Sequence, residues 1–143
     1  MVRALLDTSV LFAAAYARDR MHNDALPILK GVNNGTLPEG IVLDYVLVET
    51  LNGLVGKASQ ATAEDVLDRV EVNQQFHVAR LSREELSTAK SVFRRWSELS
   101  LADAALVSYA RSRGLKYLYT FDDDFDGPPG ITRLTSPVNP YRP

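Results

Sequence analysis

The chain has 143 residues, which suits a single domain that buries a hydrophobic core without disulfides. Hydrophobic residues at 45% and charged residues at 24% are typical of a folded globular domain and argue against disorder. The sequence has no cysteine, which excludes thiolate catalysis and cysteine-ligated zinc, and its net charge of −2 does not mark the whole molecule as a polyanion binder.

Short apolar strands alternate with helices along the predicted chain. In order, we expect a strand over 2–7, helices over 9–18 and 24–35, a strand over 40–44, a helix over 45–58, a helix from Thr62, a strand over 76–82, helices from Ser82 and over 101–114, and strands over 116–121 and 130–134. This alternation indicates parallel strands in a layered α/β domain. We expect one domain over 1–143, with an irregular proline-rich tail from about residue 135.

The starts of three helices carry capping signals. Asp24 is the expected N-cap of the second helix, while Thr62 with Asp65 and Ser82 with Glu85 have capping-box spacing. The helix after Ser82 carries an apolar stripe that we expect to face the core, formed by Leu86, Ala89, Phe93 and Trp96. The first apolar stretch is broken by charges, so we expect no signal peptide or membrane span and a cytoplasmic protein.

Three acidic residues lie where a purely structural role and a functional role are both possible. Asp7 closes the first strand, although aspartate is also a good N-cap. Asp103 shares a helix face with apolar residues, although it also lies in the first turn of its helix. Glu49 is followed by Asn52, Gly53 and Gly56 on one face, which suggests close approach of another backbone or of substrate.

The segment TFDDDFDG over 120–127 follows a predicted strand. Its aspartates match early positions of a calcium-binding EF-hand loop, but Arg133 stands where the bidentate glutamate is required. Parallel strands would instead bring Asp122 beside Asp7 at the carboxyl edge of the sheet, together with Glu49 and Asp103. Converging carboxylates without histidine or cysteine favour Mg²⁺ or Mn²⁺, and His22 and His77 have no spacing relation to them.

Four segments resemble, in order, the motifs of PIN-domain ribonucleases, and most closely those of VapC-type toxins of toxin–antitoxin pairs. They are LLDTSVLFA, VETLNGL, LSLADAALVSYA and TFDDDF, and the resemblance covers essentially the whole chain. The resemblance implies a Rossmann-like three-layer α/β/α sandwich with a short parallel sheet. It also implies a Mg²⁺- or Mn²⁺-dependent endoribonuclease.

The same resemblance implies roles for particular residues and a set of partners. The catalytic and metal-binding acids are Asp7, Glu49, Asp103 and Asp122, and the auxiliary positions are Thr120, Ser9, Asn52 and Asp124. The implied partners are an RNA substrate, a small antitoxin that blocks the acidic site, and a second copy of the chain in a homodimer. Family members that bind RNA are often more basic than this chain, so the substrate surface is left open.

Local basic clusters could still contact RNA, although charge alone favours a solvated surface for each of them. They are Arg18 with Arg20, Arg94 with Arg95, and Arg111 with Arg113 and Lys116. Other functions fit less well. An aspartyl phosphatase needs a second aspartate two residues after Asp7, where Ser9 stands, and a binding-only PIN module usually lacks one of the four acids. A solitary PIN nuclease of RNA processing stays open as an alternative to a toxin.

Overall fold

A parallel five-stranded sheet forms the centre of the molecule, whose computed structural model describes residues 2–142. The strands are β1 (Arg3–Leu6), β2 (Glu39–Leu43), β3 (Phe76–Ala79), β4 (Tyr117–Tyr119) and β5 (Thr132–Leu134). The helices are α1 (Thr8–Ala15), α2 (His22–Asn34), α3 (Asp44–Lys57), α4 (Gln60–Val72), α5 (Arg83–Arg95) and α6 (Leu101–Arg113). The expected α/β class with a short parallel sheet is confirmed.

The strand order β3-β2-β1-β4-β5 creates a reversal point between β1 and β4. The chain runs outward from β1 through β2 to β3, and then crosses back to β4 on the other side of β1. Right-handed crossovers put α1 to α4 on one face of the sheet and α5 and α6 on the other. The packing agrees, because α5 contacts α6 while α1 contacts α2 and α3.

The central strands are buried on both faces. Leu5, Leu6, Leu43, Leu118 and Tyr119 are all fully buried, which matches the continuous apolar runs expected of interior parallel strands. These strands have no face exposed to water. Polar side chains that reach solvent therefore belong to the residues that follow the strands. The carboxyl edge of the sheet is therefore where the chemistry of this chain collects.

Two helices, α2 and α4, begin two residues earlier than the sequence predicted. For α2, Asp24 is not the N-cap; the helix begins at His22, because Asp19 accepts the Met21 and His22 amides and organises the turn before it. Asp24 then lies in the first turn, where its charge favours the helix dipole. For α4, Thr62 is not the cap, because Ser59 accepts the Thr62 amide and starts the helix at Gln60.

The capping box at Ser82 and Glu85 is confirmed, but the apolar stripe of the helix that it opens is confirmed only in part. Ala89 is fully buried and Trp96 packs against the core, as expected. Glu85 is itself buried, and its carboxylate accepts hydrogen bonds from Ser112 and Arg113 of α6. Turning this acid inward rotates the helix. Consequently Leu86 is 38% exposed and Phe93 45% exposed, whereas both were expected in the core.

The segment after Leu134 contains no helix or strand within the described residues, and it is tied to the domain by hydrogen bonds. Tyr119 donates to the Val138 carbonyl at 2.7 Å, and Tyr141 donates to the Arg3 carbonyl at 3.0 Å. Within residues 2–142, none of the helices is both long enough and apolar enough to span a lipid bilayer.

Two glycines provide a matched test of packing around α3 and β2. A methyl group on Gly40 would lie 2.6 Å from Cδ1 of the buried Leu6, whereas one on Gly56 would meet nothing within 4 Å. We expect Gly40→Ala to lower the free energy of unfolding by about 1–3 kcal/mol through overpacking. Gly56→Ala should raise it by about 0.5–1 kcal/mol through helix propensity. Urea unfolding followed by circular dichroism measures both, and a Gly40→Ala variant of unchanged stability would contradict the packing described here.

Candidate active site

Acidic side chains gather at the carboxyl edge of the sheet around the reversal point between β1 and β4. Asp7 directly follows β1, and Asp122 comes three residues after β4. Asp103 lies in the first turn of α6, and Glu49 lies further along α3. In open parallel sheets such a reversal point is where ligands bind. The charges of Asp7 and Asp122 act on Asp103 there, and those of Asp7, Asp103 and Glu49 act on Tyr45.

Asp7 is the most buried of these acids, with only 8% of its surface exposed. Its Oδ2 accepts hydrogen bonds from Thr120 at 2.7 Å and Ser9 at 3.0 Å, and its Oδ1 accepts the Thr8 amide at 2.8 Å. Burial nevertheless raises the pKa of Asp7, because these hydrogen bonds offset desolvation only in part. Three bonds leave one acceptor position of this carboxylate open.

The hydroxyls of Ser9 and Thr120 connect Asp7 to the chain beyond β4. Besides donating to Asp7, the Ser9 hydroxyl accepts the Phe121 amide, and the Thr120 hydroxyl accepts the Asp122 amide, both at 3.1 Å. Each hydroxyl thus serves as donor and acceptor at once. The pair fixes the segment carrying Asp122 against the carboxylate that ends β1.

Asp103 is half-buried at the start of α6, where Ser100 caps the helix by accepting the Asp103 amide at 3.1 Å. Burial, followed by the negative charge of Asp7, raises the pKa of Asp103 to about 6. Asp122 raises that pKa further by its own charge. Asp103 is therefore a residue of the first helical turn and also interacts electrostatically with two other acids. The structural and the functional interpretations of this residue are thus compatible.

Tyr45 links the helices that carry Glu49 and Asp103. Its hydroxyl donates to the Ala102 carbonyl at 2.6 Å, which joins the first turn of α3 to the first turn of α6. Burial raises the pKa of Tyr45, and the carboxylates of Asp7, Asp103 and Glu49 raise it further, so the phenol stays protonated and keeps donating. Glu49 itself is exposed one turn after Tyr45, with Asn52 exposed a further turn along.

The acidic segment after β4 forms a short 3₁₀ turn over Asp123–Asp126. Asp122 caps it by accepting the Asp124 amide at 2.9 Å, and the negative charge of Asp122 raises the pKa of the half-buried Asp124. Phe125 anchors the turn in the core, and Asp126 pairs with Arg133 at 3.0 Å. Asp122 and Asp124 therefore interact electrostatically with other acids, whereas Asp126 forms an ordinary ion pair.

The donor set fits a hard divalent cation. Among residues 2–142, no lysine, arginine or histidine nitrogen lies within 4.0 Å of a carboxylate oxygen of Asp7, Glu49, Asp103 or Asp122. In the same part of the chain, one trio of carboxylates has oxygens all within 4.8 Å of one another, and it is Asp122, Asp123 and Asp124 rather than the four predicted acids. Oxygen ligands with uncompensated charge are typical of Mg²⁺ and Mn²⁺ sites.

Tyr45 and Ser100 were missed in the sequence, although each left a signal. Ser100 precedes Asp103 with the same spacing that correctly identified Ser82 and Glu85 as a cap. Tyr45 stands four residues before Glu49 and so shares its face of the helix. Its carbonyl partner on α6, however, depends on tertiary packing that no local pattern specifies.

A parallel α/β domain with acidic residues at the reversal point of its sheet has the architecture of a ligand-binding domain, and one family model matches this chain. The model of the PIN domain family matches residues 4–130, which is most of the chain. The chain belongs to the PIN domain family. No curated protein sequence is significantly similar to it.

Several solved structures have a similar fold. VapC20 of Mycobacterium tuberculosis, a toxin that cleaves the sarcin–ricin loop, is 21% identical with a TM-score of 0.77, covering 96% of this chain and 99% of its own. A toxin–antitoxin complex of Klebsiella pneumoniae is 20% identical with a TM-score of 0.64, covering 95% and 98%. VapBC2 of Rickettsia felis, bound to a promoter DNA fragment, is 13% identical with a TM-score of 0.69, covering 92% and 97%.

The raised pKa of Asp103 predicts a pH-dependent stability of the metal-free protein. Since the folded state keeps the Asp103 proton up to pH about 6, stability is lost as the pH rises through that value. We expect Asp103→Asn to be more stable than the unchanged protein by about 1–2 kcal/mol at pH 7.5 in EDTA, after allowance for solvent screening. At pH 3, where Asp103 is largely protonated in both the folded and the unfolded states, the difference should become small.

Thermal unfolding at the two pH values measures this, and the gain at pH 7.5 corresponds to about 3–8 °C. Asp65→Asn on the exposed face of α4 is the matched control and should show no comparable pH-dependent gain. A stability gain for Asp103→Asn that is equal at both pH values would contradict the electrostatic account.

Proposed function

We propose that this protein is a Mg²⁺- or Mn²⁺-dependent endoribonuclease that hydrolyses RNA phosphodiesters. The observation that carries the proposal is the meeting of Asp7, Asp103 and Asp122 at the sheet reversal point without a cationic partner within 4.0 Å among residues 2–142. Membership of the PIN domain family supports the same conclusion. Carboxylates that lie together without a cationic partner favour the binding of a metal cation, and the bound cation can in turn attract an anionic substrate.

We assign Asp7 and Asp103 as the principal metal-binding residues, with Glu49 and Asp122 completing the set or orienting water. When bound, the cation supplies positive charge to the phosphodiester and lowers the pKa of water. Asp7 is suited to this role because Thr8, Ser9 and Thr120 hold its carboxylate in one orientation while an acceptor position stays open. Attack of water in line with the leaving oxygen breaks the P–O3′ bond and leaves 5′-phosphate and 3′-hydroxyl ends.

The auxiliary residues act on the geometry of the acids in this proposal. Ser9 and Thr120 hold Asp7 and the segment carrying Asp122 together, and Asp124 adds negative charge beside Asp122. Asn52 is exposed one turn beyond Glu49, where it can meet substrate. Tyr45 has a supporting part, because its bond to Ala102 fixes the distance between the helices of Glu49 and Asp103.

We further propose that the nuclease is the toxin of a VapBC-type pair, acting in the cytoplasm on cellular RNA. The fold similarity to toxin–antitoxin proteins supports this, and the partner would be a small antitoxin that covers the acidic site. The alternative is a solitary PIN nuclease in RNA processing. A short neighbouring reading frame that encodes a DNA-binding antitoxin distinguishes the two.

Removal of the cation or of one acid should abolish cleavage without unfolding the protein. With a fluorescent single-stranded RNA and Mn²⁺, we expect Asp103→Asn to cleave at least about 100-fold more slowly, because transition-state charge is no longer stabilised. EDTA should stop cleavage reversibly, and Asp65→Asn should cleave normally. Gel analysis of the products, with a test for 5′-phosphate ends, gives the readout. Equal cleavage in EDTA would disprove the metal mechanism, and RNA binding without any cleavage would favour a binding module.

We also propose a homodimer whose interface includes the exposed apolar side chains of α5 and α6. Leu86 and Phe93 lie two turns apart on α5 with 38% and 45% exposure, and Leu101 at the start of α6 is 40% exposed. An apolar groove between Tyr45, Leu81, Leu86 and Leu101 adjoins them. Exposed apolar groups that cluster in this way are typical of protein interfaces.

Charges placed on that surface should separate the dimer. We expect Leu86→Lys with Phe93→Lys to convert a dimer into a monomer, because two buried ammonium groups without partners are strongly unfavourable at an interface. Size-exclusion chromatography with light scattering measures the mass. Val72→Lys on α4 replaces a side chain that is 81% exposed and should leave the mass unchanged. A double variant that remains dimeric would remove this surface from consideration.

A further inference from the structure

A groove of about 380 Å³ lies beside the acid cluster, between α1, the turn over residues 16–21 and the segment after β4. Ser9 and Asp122 line this groove and also belong to the acid site, so the two are continuous. Its volume falls in the range of about 300–1,000 Å³ that is typical of small-ligand pockets. A chain that passes over Asp122 would therefore enter it directly.

Two phenylalanine rings line this groove, and both are held by the rest of the fold. Phe12 packs edge-to-face on Tyr16, with ring centroids 5.5 Å apart. It also fits against Gly53, where a methyl group would come within 3.1 Å of the ring. The Phe121 amide donates to the Ser9 hydroxyl, and the Phe121 side chain packs against the core while remaining partly exposed. This explains Gly53 as a position of close approach on α3, whereas Gly56, which the sequence grouped with it, faces open space.

The turn beside the groove supplies cations that the acid site lacks. Arg20 lines the groove beside Asp19, whose carboxylate accepts the Met21 amide, and Arg18 lines a neighbouring depression with Lys57. Both arginines are exposed, and within residues 2–142 neither has a carboxylate oxygen within 4.0 Å.

The other basic cluster near a depression is engaged within the protein. Arg113 pairs with Glu85, and Arg111 donates to the Pro129 carbonyl. Of the two, the turn of Arg18 and Arg20 is thus the one that combines unpaired cations with a path to the acids. A net charge of −2 makes such a local cluster necessary for attracting a polyanion.

We propose that this groove binds the nucleotide next to the scissile phosphate of a single-stranded RNA. The base stacks on Phe121 or Phe12, and the guanidinium of Arg20 pairs with a flanking phosphate. Aromatic faces beside arginine are the common means of binding unpaired nucleotides, because every base has a face to stack and every linkage a charge. The inference rests on the proposed ribonuclease function and adds where its substrate lies.

Binding of a labelled RNA separates the charge contribution from the stacking contribution. In an Asp103→Asn background, fluorescence anisotropy with a mixed-sequence single-stranded 20-mer gives the dissociation constant over a range of salt concentrations. We expect Arg20→Gln to weaken binding about threefold or more and to reduce the slope of log affinity against log salt by about 0.7, the value for one phosphate contact. Phe121→Leu should weaken binding about fivefold or more with an unchanged slope.

Arg69→Gln is the control, because Arg69 is exposed in the last turn of α4, away from the groove. Thermal unfolding checks that each variant is folded, and Arg20→Gln keeps the test decisive if Phe121→Leu is unstable. RNA binding that is unaffected by both variants would overturn the proposal while leaving the nuclease function intact. The proposal would also be overturned if the Arg20 and Phe121 variants lost binding to a co-purifying antitoxin while their RNA binding stayed unchanged. The groove would then be a protein-binding site.

Failure of the nuclease function has a different signature. If the unchanged protein with Mn²⁺ cuts no RNA but its affinity for RNA still depends on Arg20 and Phe121, the groove is supported as an RNA-binding site and the nuclease proposal is wrong. If the unchanged protein cuts no RNA and the Asp103→Asn protein binds none, both proposals are wrong.

Discussion

The hydrogen bonds to the buried carboxylate of Asp7 are the interaction on which the rest of the carboxyl edge depends. A charge with 8% exposure is strongly unfavourable unless donors surround it. Here the donors come from two separate parts of the chain, Thr8 with Ser9 at the start of α1, and Thr120 after β4. Satisfying one buried charge therefore brings together the two strands that flank the reversal point of the sheet.

That requirement extends to the acids that are not themselves deeply buried. Because Ser9 and Thr120 also accept the Phe121 and Asp122 amides, the loop after β4 cannot move independently of Asp7. Phe125, fully buried, fixes the far side of the same loop. On the opposite side, the bond from Tyr45 to Ala102 sets the first turn of α6, and Asp103 follows in the next position. Uncharged side chains thus determine where the acidic side chains lie.

The sequence predicted the regular parts of this molecule well because their causes are local. Apolar runs specified the strands, and the Ser82–Glu85 spacing specified the start of α5. It failed where a distant partner decides. Glu85 was treated only as a cap, and its attachment to Ser112 and Arg113, about 27 residues away, turned the helix so that Leu86 and Phe93 face solvent.

The candidate site divides in the same way. Acids at strand ends could be recognised because parallel topology brings the ends together. The depths to which those acids are buried, and hence the raised pKa values of Asp7 and Asp103, required the packed structure. The carboxylate oxygens of Asp122, Asp123 and Asp124 lie close together at a 3₁₀ turn that buries Phe125. The sequence alone did not predict this turn.

The electrostatics of the edge also limit how a polyanion can approach it. Burial raises the pKa of Asp7 and Asp103, and the negative charges of neighbouring carboxylates raise both further, which is why these two carboxyls hold their protons to higher pH. A lysine or arginine in the cluster would relieve this repulsion permanently, but it would also occupy the acceptor positions that a cation needs. The chain instead keeps its unpaired arginines in the adjoining turn. In the proposed ribonuclease, attraction of the substrate and stabilisation of the reacting charge would therefore come from neighbouring but separate groups.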